Sequence, residues 1–270
     1  MTDPTPLDLA HAAMEAAPED DAARLRFYER LADGEVFLLL AGAPEGENVE
    51  PELFDVADAR FVLVFDREER LARFTGRISP YVALSGRAIA GMLAGQGIGL
   101  AVNPEVAPSQ ILIPPEAVDW LAETLSDGPA EAEARPEEIT APRGLPEALL
   151  TALDAKLASA GGLARFAYLA GVTYTGGARG HLLGFVGATP GAEPALARAI
   201  NEALTFSGLE AAALDVAFFA TSDPMAAHYV GFKMWVQAVQ QAGTVDPDAV
   251  RQAVAGQTVA GPSGYTITMD

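Results

Sequence analysis

Short continuous apolar runs alternate with amphipathic segments over the first 126 residues. Five-residue apolar runs are typical of buried strands, and apolar residues at helical spacing favour helices between them. This alternation predicts an α/β or α+β unit over residues 1–126. We predict helices at 7–17, from the acidic cluster 19–21 to Gly34, at 67–73, at 84–93 and from Pro114-Pro115 onward, strands at 36–40, 61–65, 98–102 and 111–113, and an exposed loop at 41–50.

An acidic segment at residues 127–143, DGPAEAEARPEEITAPR, interrupts this pattern. It holds three prolines and four glutamates and has almost no large apolar residue, a composition that disfavours a packed core. We therefore predict a solvated linker between two domains.

A second domain is predicted over residues 144–222. Two strands with a short glycine-containing connection at Thr175-Gly176-Gly177 predict a hairpin. The order helix, strand, strand, helix, strand fits an antiparallel sheet with helices on one face. The predicted elements are helices at 145–159 and 192–206 and strands at 164–174, 181–187 and 214–219. The expected fold class is thus α+β, or α/β-like, with two small mixed domains.

The pattern changes after Ser222, where we predict a helical extension over residues 223–270. It should contain one long helix at 224–242, a shorter helix after Asp246-Pro247 and a strand-like end at 265–268. The tryptophans, Trp120 and Trp235, are interpreted as core residues rather than as ligand platforms.

Composition excludes several function classes. The formal net charge is −20, from 37 acidic and 17 basic residues, and this field disfavours nucleic-acid binding. The absence of cysteine excludes disulfides, thiolate catalysis and cysteine-ligated metals. The N-terminus does not look like a secretory signal, and no window approaches the ~20 apolar residues of a membrane span. We expect a cytoplasmic protein without membrane insertion.

The glycine-rich stretch Gly95-Gln96-Gly97-Ile98-Gly99 superficially resembles a phosphate-binding loop. A dinucleotide fingerprint would need a glycine at position 100, which is Leu100, and would follow a strand rather than a helix. We interpret the stretch as the turn that ends a helix.

Other candidate chemistry is weak. His11, His181 and His228 lack ligand-like spacing, Glu137-Glu138 lies in the predicted linker, and Gly261-Pro262-Ser263-Gly264 is not a nucleophile elbow. The charged run 66–70 is interpreted as a solvated helix face. The sequence therefore indicates no catalytic, cofactor-binding or metal-binding residue, predicts no cofactor, and leaves the ligand-binding residues unknown.

Five stretches of the chain point to a known family. They are DDAARLRFYERLADG at 20–34, FVLVFD at 61–66, AGMLAGQGIG at 90–99, IPPEAVDWL at 113–121 and EALTFSG at 202–208. On these stretches most of the chain, over about residues 5–222, resembles the enhanced-serine-sensitivity protein SseB family of alphaproteobacteria. The resemblance implies an N-terminal domain followed by a smaller C-terminal one, and no catalytic residue, because the family has none established. The family name records a phenotype rather than a mechanism.

The remaining segment contains SDPMAAHYVGFKMWVQAV at 222–239 and PSGYTITMD at 262–270. On these stretches it is similar to the C-terminal region of urea or short-chain-amide ABC-transporter binding proteins. We expect no transporter function from it, because the second lobe that would close a ligand cleft is missing. A natural fusion, a recombination and a sequence artefact all fit this pattern. Packing of the helix at 224–242 on the second domain is a hypothesis motivated by its apolar residues Val230, Met234, Val236 and Val239.

Three functions follow as hypotheses. The first is a non-enzymatic protein that binds a protein partner or a small molecule, linked to serine or amino-acid metabolism as the resemblance implies. The second is an enzyme in which carboxylates such as Glu116 or Asp119 converge. The third is a solute-binding protein of the urea or amide type. The sequence does not indicate the partner or the oligomeric state.

Overall fold

The computed structural model of the protein describes residues 3–43, 49–56, 59–126, 136–208 and 214–221, and the backbone of 258–260 and 266–268. The chain forms two compact units. The first contains Met1–Asp127 and Thr205–Glu210, and the second contains Gly128–Leu204 and Ala211–Asp270.

The first unit is built on a mixed sheet. The strand order is β4-β1-β3-β5-β6, with β2 paired to β3, and β3 and β5 run parallel while the other pairs are antiparallel. Its elements are α1 (Pro6–Ala16), α2 (Asp21–Asp33), β1 (Glu35–Leu39), β2 (Leu53–Val56), β3 (Ala59–Phe65), α3 (Glu68–Thr75), β4 (Tyr81–Ser85), α4 (Gly86–Leu93), β5 (Ile98–Val102), β6 (Ile111–Ile113) and α5 (Pro115–Ser126).

The core explains why the apolar runs form strands. All five residues of β5 and the last five of β3 are buried, so these central strands are covered on both faces. Helix α5 buries one side, as the helical spacing of its apolar residues predicts: Val118, Leu121 and Leu125 are buried.

Two strands of this sheet were not predicted from the sequence pattern. Strand β2 lies in a segment without a predicted element, and β4 occupies residues 81–85, where part of a helix was predicted. That helix begins at Gly86 instead, because β4 pairs with β1 as far as Ser85, whose hydroxyl then accepts the Ala88 N–H and caps α4. The prediction of a helix over 84–93 is therefore wrong at its start.

The second unit contains a four-stranded sheet in the order β10-β9-β8-β7 and, among the described residues, a separate two-stranded pair of β11 and β12. The β8–β9 hairpin is confirmed. The described elements of the second unit are β7 (Pro136–Thr140), α6 (Glu147–Ser159), β8 (Phe166–Tyr174), β9 (Arg179–Val186), α7 (Glu193–Phe206), β10 (Leu214–Phe219), β11 (Thr258–Ala260) and β12 (Thr266–Thr268).

Two expectations about this unit are wrong. Residues 136–140, predicted as linker, form β7 and pair antiparallel with β8. The sheet is also mixed rather than antiparallel, because α7 crosses back over it and lets β10 run parallel to β9. The helices predicted at 224–242 and after residue 247 lie outside the described residues.

The α+β fold class is confirmed by helices packed with two mixed sheets. The interpretation of Trp120 as a core residue is only partly right: the side chain is 38% exposed and packs edge-on against Tyr28 and Phe206. Trp235 lies outside the described residues.

Candidate functional site

A buried polar cluster lies at the carboxyl ends of two central strands. Asp66 directly follows β3 and Asn103 directly follows β5, and because these strands are parallel their ends meet at one edge of the sheet. In open α/β sheets this edge is the usual place for ligands. Here the start of α1 occupies it. We call Thr5, Asp8, Asp66, Arg70, Asn103 and Ser109 the Asp8–Arg70 cluster.

Arg70 is the centre of this cluster. Its Nη1 donates to Asp8 Oδ1 at 2.9 Å and to Asp66 Oδ1 at 2.8 Å, and its Nη2 donates to Asp8 Oδ2 at 2.5 Å. The forked contact with Asp8 is the geometry in which a guanidinium binds a carboxylate most strongly. The side chains of Arg70 and Asp8 are 10% and 5% exposed, so water screens this pair little.

The remaining carboxylate oxygens are satisfied from neighbouring elements. Ser109 Oγ donates to Asp8 Oδ1 at 2.5 Å and accepts from Asn103 Nδ2 at 2.9 Å. Thr5 donates its hydroxyl to Asp66 Oδ2 at 2.5 Å and its N–H to Asp8 Oδ2 at 2.9 Å. All four carboxylate oxygens therefore accept hydrogen bonds from within the cluster.

The electrostatics keep both members of the central pair charged. Burial by itself would raise the pKa of Asp8, but hydrogen bonds from Arg70, Ser109 and the Thr5 N–H hold that pKa well below its ordinary range. Burial would likewise lower the pKa of Arg70, but its bonds to Asp8 and Asp66 raise it. Asp8 and Arg70 therefore remain a charged pair, and the geometry of the cluster supports a structural role in fixing α1 to the sheet.

A second feature of the first unit is an open hollow of about 460 Å³. It is lined by residues 40–43, Glu52 and residues 77–80, and we call it the Arg77 hollow. Its walls are fixed to the sheet by backbone hydrogen bonds: the Leu40 N–H donates to the Pro80 carbonyl at 3.0 Å, and the Glu52 N–H to the Leu39 carbonyl at 3.1 Å. Rigid elements thus position the lining.

The turn after α3 shapes one wall of the hollow. Gly76 adopts a left-handed conformation, with φ of 63°, and ends the helix. Glycine populates this region without strain, so the chain turns sharply there and Arg77 begins the wall.

The chemistry of the Arg77 hollow differs from that of the Asp8–Arg70 cluster. Its lining carries a cationic side chain in Arg77, an anionic one in Glu52 and the hydroxyl of Ser79. The Ser79 Oγ is buried and has no hydrogen-bond partner in the part of the chain that the structure describes. A buried hydroxyl without a partner is destabilising by ~1–3 kcal/mol, so this position gains when a ligand supplies the missing bond.

Most of the first unit matches a model of a known protein family. Residues 9–120 match the family model described as the SseB protein N-terminal domain. Over these residues the first unit is similar to the SseB N-terminal domain. The Arg77 hollow lies inside the matched residues, whereas Thr5 and Asp8 of the cluster precede them.

The end of the chain matches a different model. Residues 212–270 match the one described as a periplasmic binding protein domain, and this match includes β10 of the second unit. It begins ten residues before the junction that the sequence suggested at residue 222. No curated protein and no solved structure matches the chain. Within the described residues, no helix is long and apolar enough to cross a bilayer.

The two carboxylates considered from the sequence, Glu116 and Asp119, both lie on α5 of the first unit. Glu116 is exposed on α5. Asp119 Oδ1 accepts the N–H of Gly95 at 2.7 Å and so holds the turn after α4. The interpretation of this turn as a helix end is confirmed, since Gly95 and Gly97 adopt φ values of 71° and 67° between α4 and β5.

The histidines have separate structural surroundings. His11 of the first unit is buried, and its ring lies edge-on to that of Phe27 with the ring centroids 5.7 Å apart. In the second unit, His181 Nε2 lies 3.0 Å from the Arg143 carbonyl oxygen. His228 lies outside the described residues. Among the residues that the structure describes, no group of three histidine or carboxylate side chains could hold a metal ion.

The remaining interpretations from the sequence concern charged and glycine-rich segments. The charged run 66–70 was expected to be a solvated face; this is wrong for Asp66 and Arg70, which lie in the buried cluster. Glu137 and Glu138 are exposed on β7, and Gly261-Pro262-Ser263-Gly264 lies outside the described residues. No motif signalled Arg77 or Ser79, because an isolated arginine and serine beside a proline look like ordinary loop residues.

The described residues of the second unit include a buried ion pair and a hydrogen bond from a tyrosine to a carboxylate. Lys156 Nζ lies 3.1 Å from Glu202 Oε2, with both side chains at most 6% exposed. Tyr174 donates its hydroxyl to Asp215 Oδ2 at 2.5 Å. Burial, together with this bond and the charge of Asp215, raises the pKa of Tyr174 well above its ordinary value. The first contact joins α6 to α7, and the second joins the end of β8 to β10 across the intervening strand β9.

Proposed function

We propose that the chain is a non-enzymatic binding protein whose first unit takes a small zwitterionic ligand of the amino-acid class in the Arg77 hollow. The observation that carries this proposal is the buried Ser79 hydroxyl without a partner, in a hollow that is also lined by Arg77 and Glu52. Groups of both charges and a hydroxyl are what an α-amino acid with a polar side chain requires.

The same geometry favours binding over catalysis. A serine nucleophile needs a neighbouring base that takes its proton, and the Ser79 Oγ has no such neighbour in the described residues. In the Asp8–Arg70 cluster, the carboxylate oxygens already accept hydrogen bonds from within the cluster. The hollow is therefore proposed to recognise its ligand without transforming it.

The expected affinity is weak. Arg77 is exposed and Glu52 is half-buried, and exposed ion pairs contribute ~0.2–1 kcal/mol each. Together with the hydroxyl contact, this corresponds to a dissociation constant on the order of 1 mM, or about −4 kcal/mol. L-Serine is the first probe, since the resemblance to the SseB family implies a link with serine or amino-acid metabolism.

The test is an NMR titration of the full chain with L-serine, ethanolamine and glycolate. Ethanolamine lacks the carboxylate and glycolate lacks the ammonium group, so we expect saturable shifts with L-serine alone. Arg77→Gln should weaken binding by up to about fivefold, the equivalent of the ~1 kcal/mol of an exposed ion pair. Arg73→Gln removes another exposed arginine outside the hollow and should leave binding unchanged. Equal shifts in both variants, or none in the native chain, would refute the proposal.

Ser79→Ala separates ligand recognition from stability. The substitution removes a buried hydroxyl that has no partner in the described residues, so stability should stay the same or rise by up to about 1 kcal/mol. L-Serine affinity should fall in the same variant. A large loss of stability would show that this hydroxyl has a structural partner instead.

The cellular part of the proposal rests on the sequence. We propose a cytoplasmic protein that also has a protein partner, with a domain boundary after residue 126 and an extension over residues 223–270. Urea and acetamide are useful negative probes, because the match to a periplasmic binding protein domain is confined to residues 212–270. Calorimetry with either compound should show no binding heat.

A further inference from the structure

Strand β4 lies at one edge of the sheet in the first unit. It ends the strand order, and among the described strands it pairs with β1 alone. Its five residues, YVALS, include no charged side chain and no proline, which are features that commonly block pairing at an edge strand. At the other end of the strand order, β6 has only three residues and is followed directly by Pro114. Strand β4 is thus the more open of these two edges.

The register shows which main-chain groups of β4 point outward. Leu40 donates its N–H to the Pro80 carbonyl, and Gly86 donates its N–H to the Gly34 carbonyl. In an antiparallel pair, residues that bond to the partner strand alternate with residues that point away from it. The even-numbered residues of β4 therefore bond to β1. The N–H and C=O groups that point away from β1 are those of Tyr81 and Ala83.

The Arg77 hollow lies at one end of this edge. Arg77 and Ser79 shortly precede Tyr81, so they lie at the amino end of β4, and the Arg77 side chain is exposed. Arg87, which follows the carboxyl end of β4, forms an ion pair with Asp33. The edge therefore has an exposed arginine at its amino end and an ion-paired arginine at its carboxyl end.

We propose that the edge of β4 binds an extended peptide as an antiparallel strand, and that the terminal carboxylate of this peptide binds Arg77. An antiparallel strand runs opposite to β4, so its carboxyl end lies at the amino end of β4, where Arg77 is placed. Strand addition to an open edge and capture of a terminal carboxylate are both recurring modes of peptide recognition. The proposal rests on the proposed function in one respect, the carboxylate-binding role of Arg77.

Charge favours a peptide over a second copy of this chain at the edge of β4. Each copy carries a formal net charge of −20, and a large charge of one sign opposes the association of two copies. A short peptide without charged side chains brings one carboxylate to Arg77 and little other charge. It therefore meets the edge without this repulsion.

The probe is an acetylated seven-residue peptide of threonine, serine and valine that ends in serine with a free carboxylate. Seven residues span positions 79–85 of the chain, a length of ~24 Å at ~3.4 Å per residue. Threonine and valine favour the extended conformation, and acetylation removes the charge of the peptide amine. The matched control is the same peptide with a terminal amide.

Amide exchange of the full chain, followed by NMR, measures the contact. In the free chain, the N–H groups of Tyr81 and Ala83 should exchange faster than those of Val82 and Leu84, which bond to β1. Saturating peptide should slow exchange at Tyr81 and Ala83 at least about tenfold. Unchanged exchange at both positions would overturn the proposal.

The role of Arg77 is tested by the two forms of the peptide. The amide form should bind up to about fivefold more weakly than the free acid, as expected for the loss of an exposed ion pair. Arg77→Gln should remove this preference for the free acid, and Arg73→Gln should keep it. Equal affinities of the native chain for the two forms would contradict carboxylate capture.

N-methylation of the peptide tests strand pairing without altering the protein. Methylation of alternate residues whose N–H groups face β4 should weaken binding at least about tenfold, and methylation of the intervening residues should change it less than about twofold. An equal loss with both patterns would contradict strand pairing. Exchange at Ala83 that slows with protein concentration in the absence of peptide would show a second copy at this edge and would also contradict the proposal.

A parallel titration with L-serine separates this proposal from the proposed function. Binding of the peptide without binding of L-serine would refute the amino-acid ligand and leave the peptide edge supported. Binding of L-serine without binding of the peptide would refute the peptide edge and leave the proposed function standing.

Discussion

Removing the charge of Asp8 should destabilise the first unit strongly. In Asp8→Asn, Arg70 loses its forked anionic partner at 2.9 and 2.5 Å, although it keeps Asp66 at 2.8 Å. Breaking a buried ion pair by altering one partner costs ~3–5 kcal/mol. Because asparagine preserves the shape and one acceptor oxygen, we expect the lower end, about 3 kcal/mol, against a total of ~5–15 kcal/mol for a domain.

Urea and thermal unfolding measure this effect, with an expected fall in Tm of about 10 °C for a unit of this size. Asp3→Asn is the matched control. Its side chain is exposed, and the contact described for this residue, from Arg67, is made to its backbone carbonyl. A loss below about 1 kcal/mol in Asp8→Asn, or an equal loss in Asp3→Asn, would refute the reasoning.

The pH dependence gives a second check with a definite sign. The pKa of Asp8 is lower in the folded than in the unfolded chain, so the unfolded chain binds more protons at acidic pH. The contribution of Asp8 is fully present above the ordinary aspartate value of 3.8 and is lost as the pH falls from there towards the lower folded value. Asp8→Asn should therefore show a shallower loss of stability below pH 4 than the native chain.

Three further predictions concern packing and ionisation. Gly99→Ala should cost about 1–3 kcal/mol in urea unfolding, because the new Cβ would lie 2.5 Å from an aromatic ring, while Gly91→Ala, in open space on a helix, should be neutral or stabilise by up to about 1 kcal/mol. Lys156→Met should destabilise the second unit by about 3 kcal/mol, since Glu202 would keep a buried charge; a neutral result would contradict the pairing. Tyr174→Phe should remove a late-titrating phenol from the alkaline ultraviolet titration, and an unchanged profile would count against its bond to a carboxylate.

The central strands could be predicted because burial on both faces leaves a direct mark on the sequence. The runs at 36–40 and 61–65 became β1 and β3, which are buried along most of their length. Strands β2 and β4 left no such mark, since both are largely exposed or half-buried. Their strand conformation comes from pairing with the buried strands rather than from their own composition.

The candidate sites were harder to predict for the same physical reason. Asp8 and Arg70 are 62 positions apart, and their contact depends on two parallel strands ending at one edge. Within the helix, Arg70 looks like a solvated residue of a charged run. The Arg77 hollow depends on the position of one unpartnered hydroxyl, which no local pattern reports.

Strand β7 places part of the acidic segment of the chain at the edge of a sheet. It forms the outer strand of its sheet, and its residues are mostly exposed. An open strand edge invites pairing with another molecule, and proline and charged side chains block that pairing. Pro136, Glu137 and Glu138 are placed along this strand. We therefore expect the glutamates to oppose self-aggregation, and a shortened or neutralised version of this stretch should remain folded yet precipitate at lower concentration.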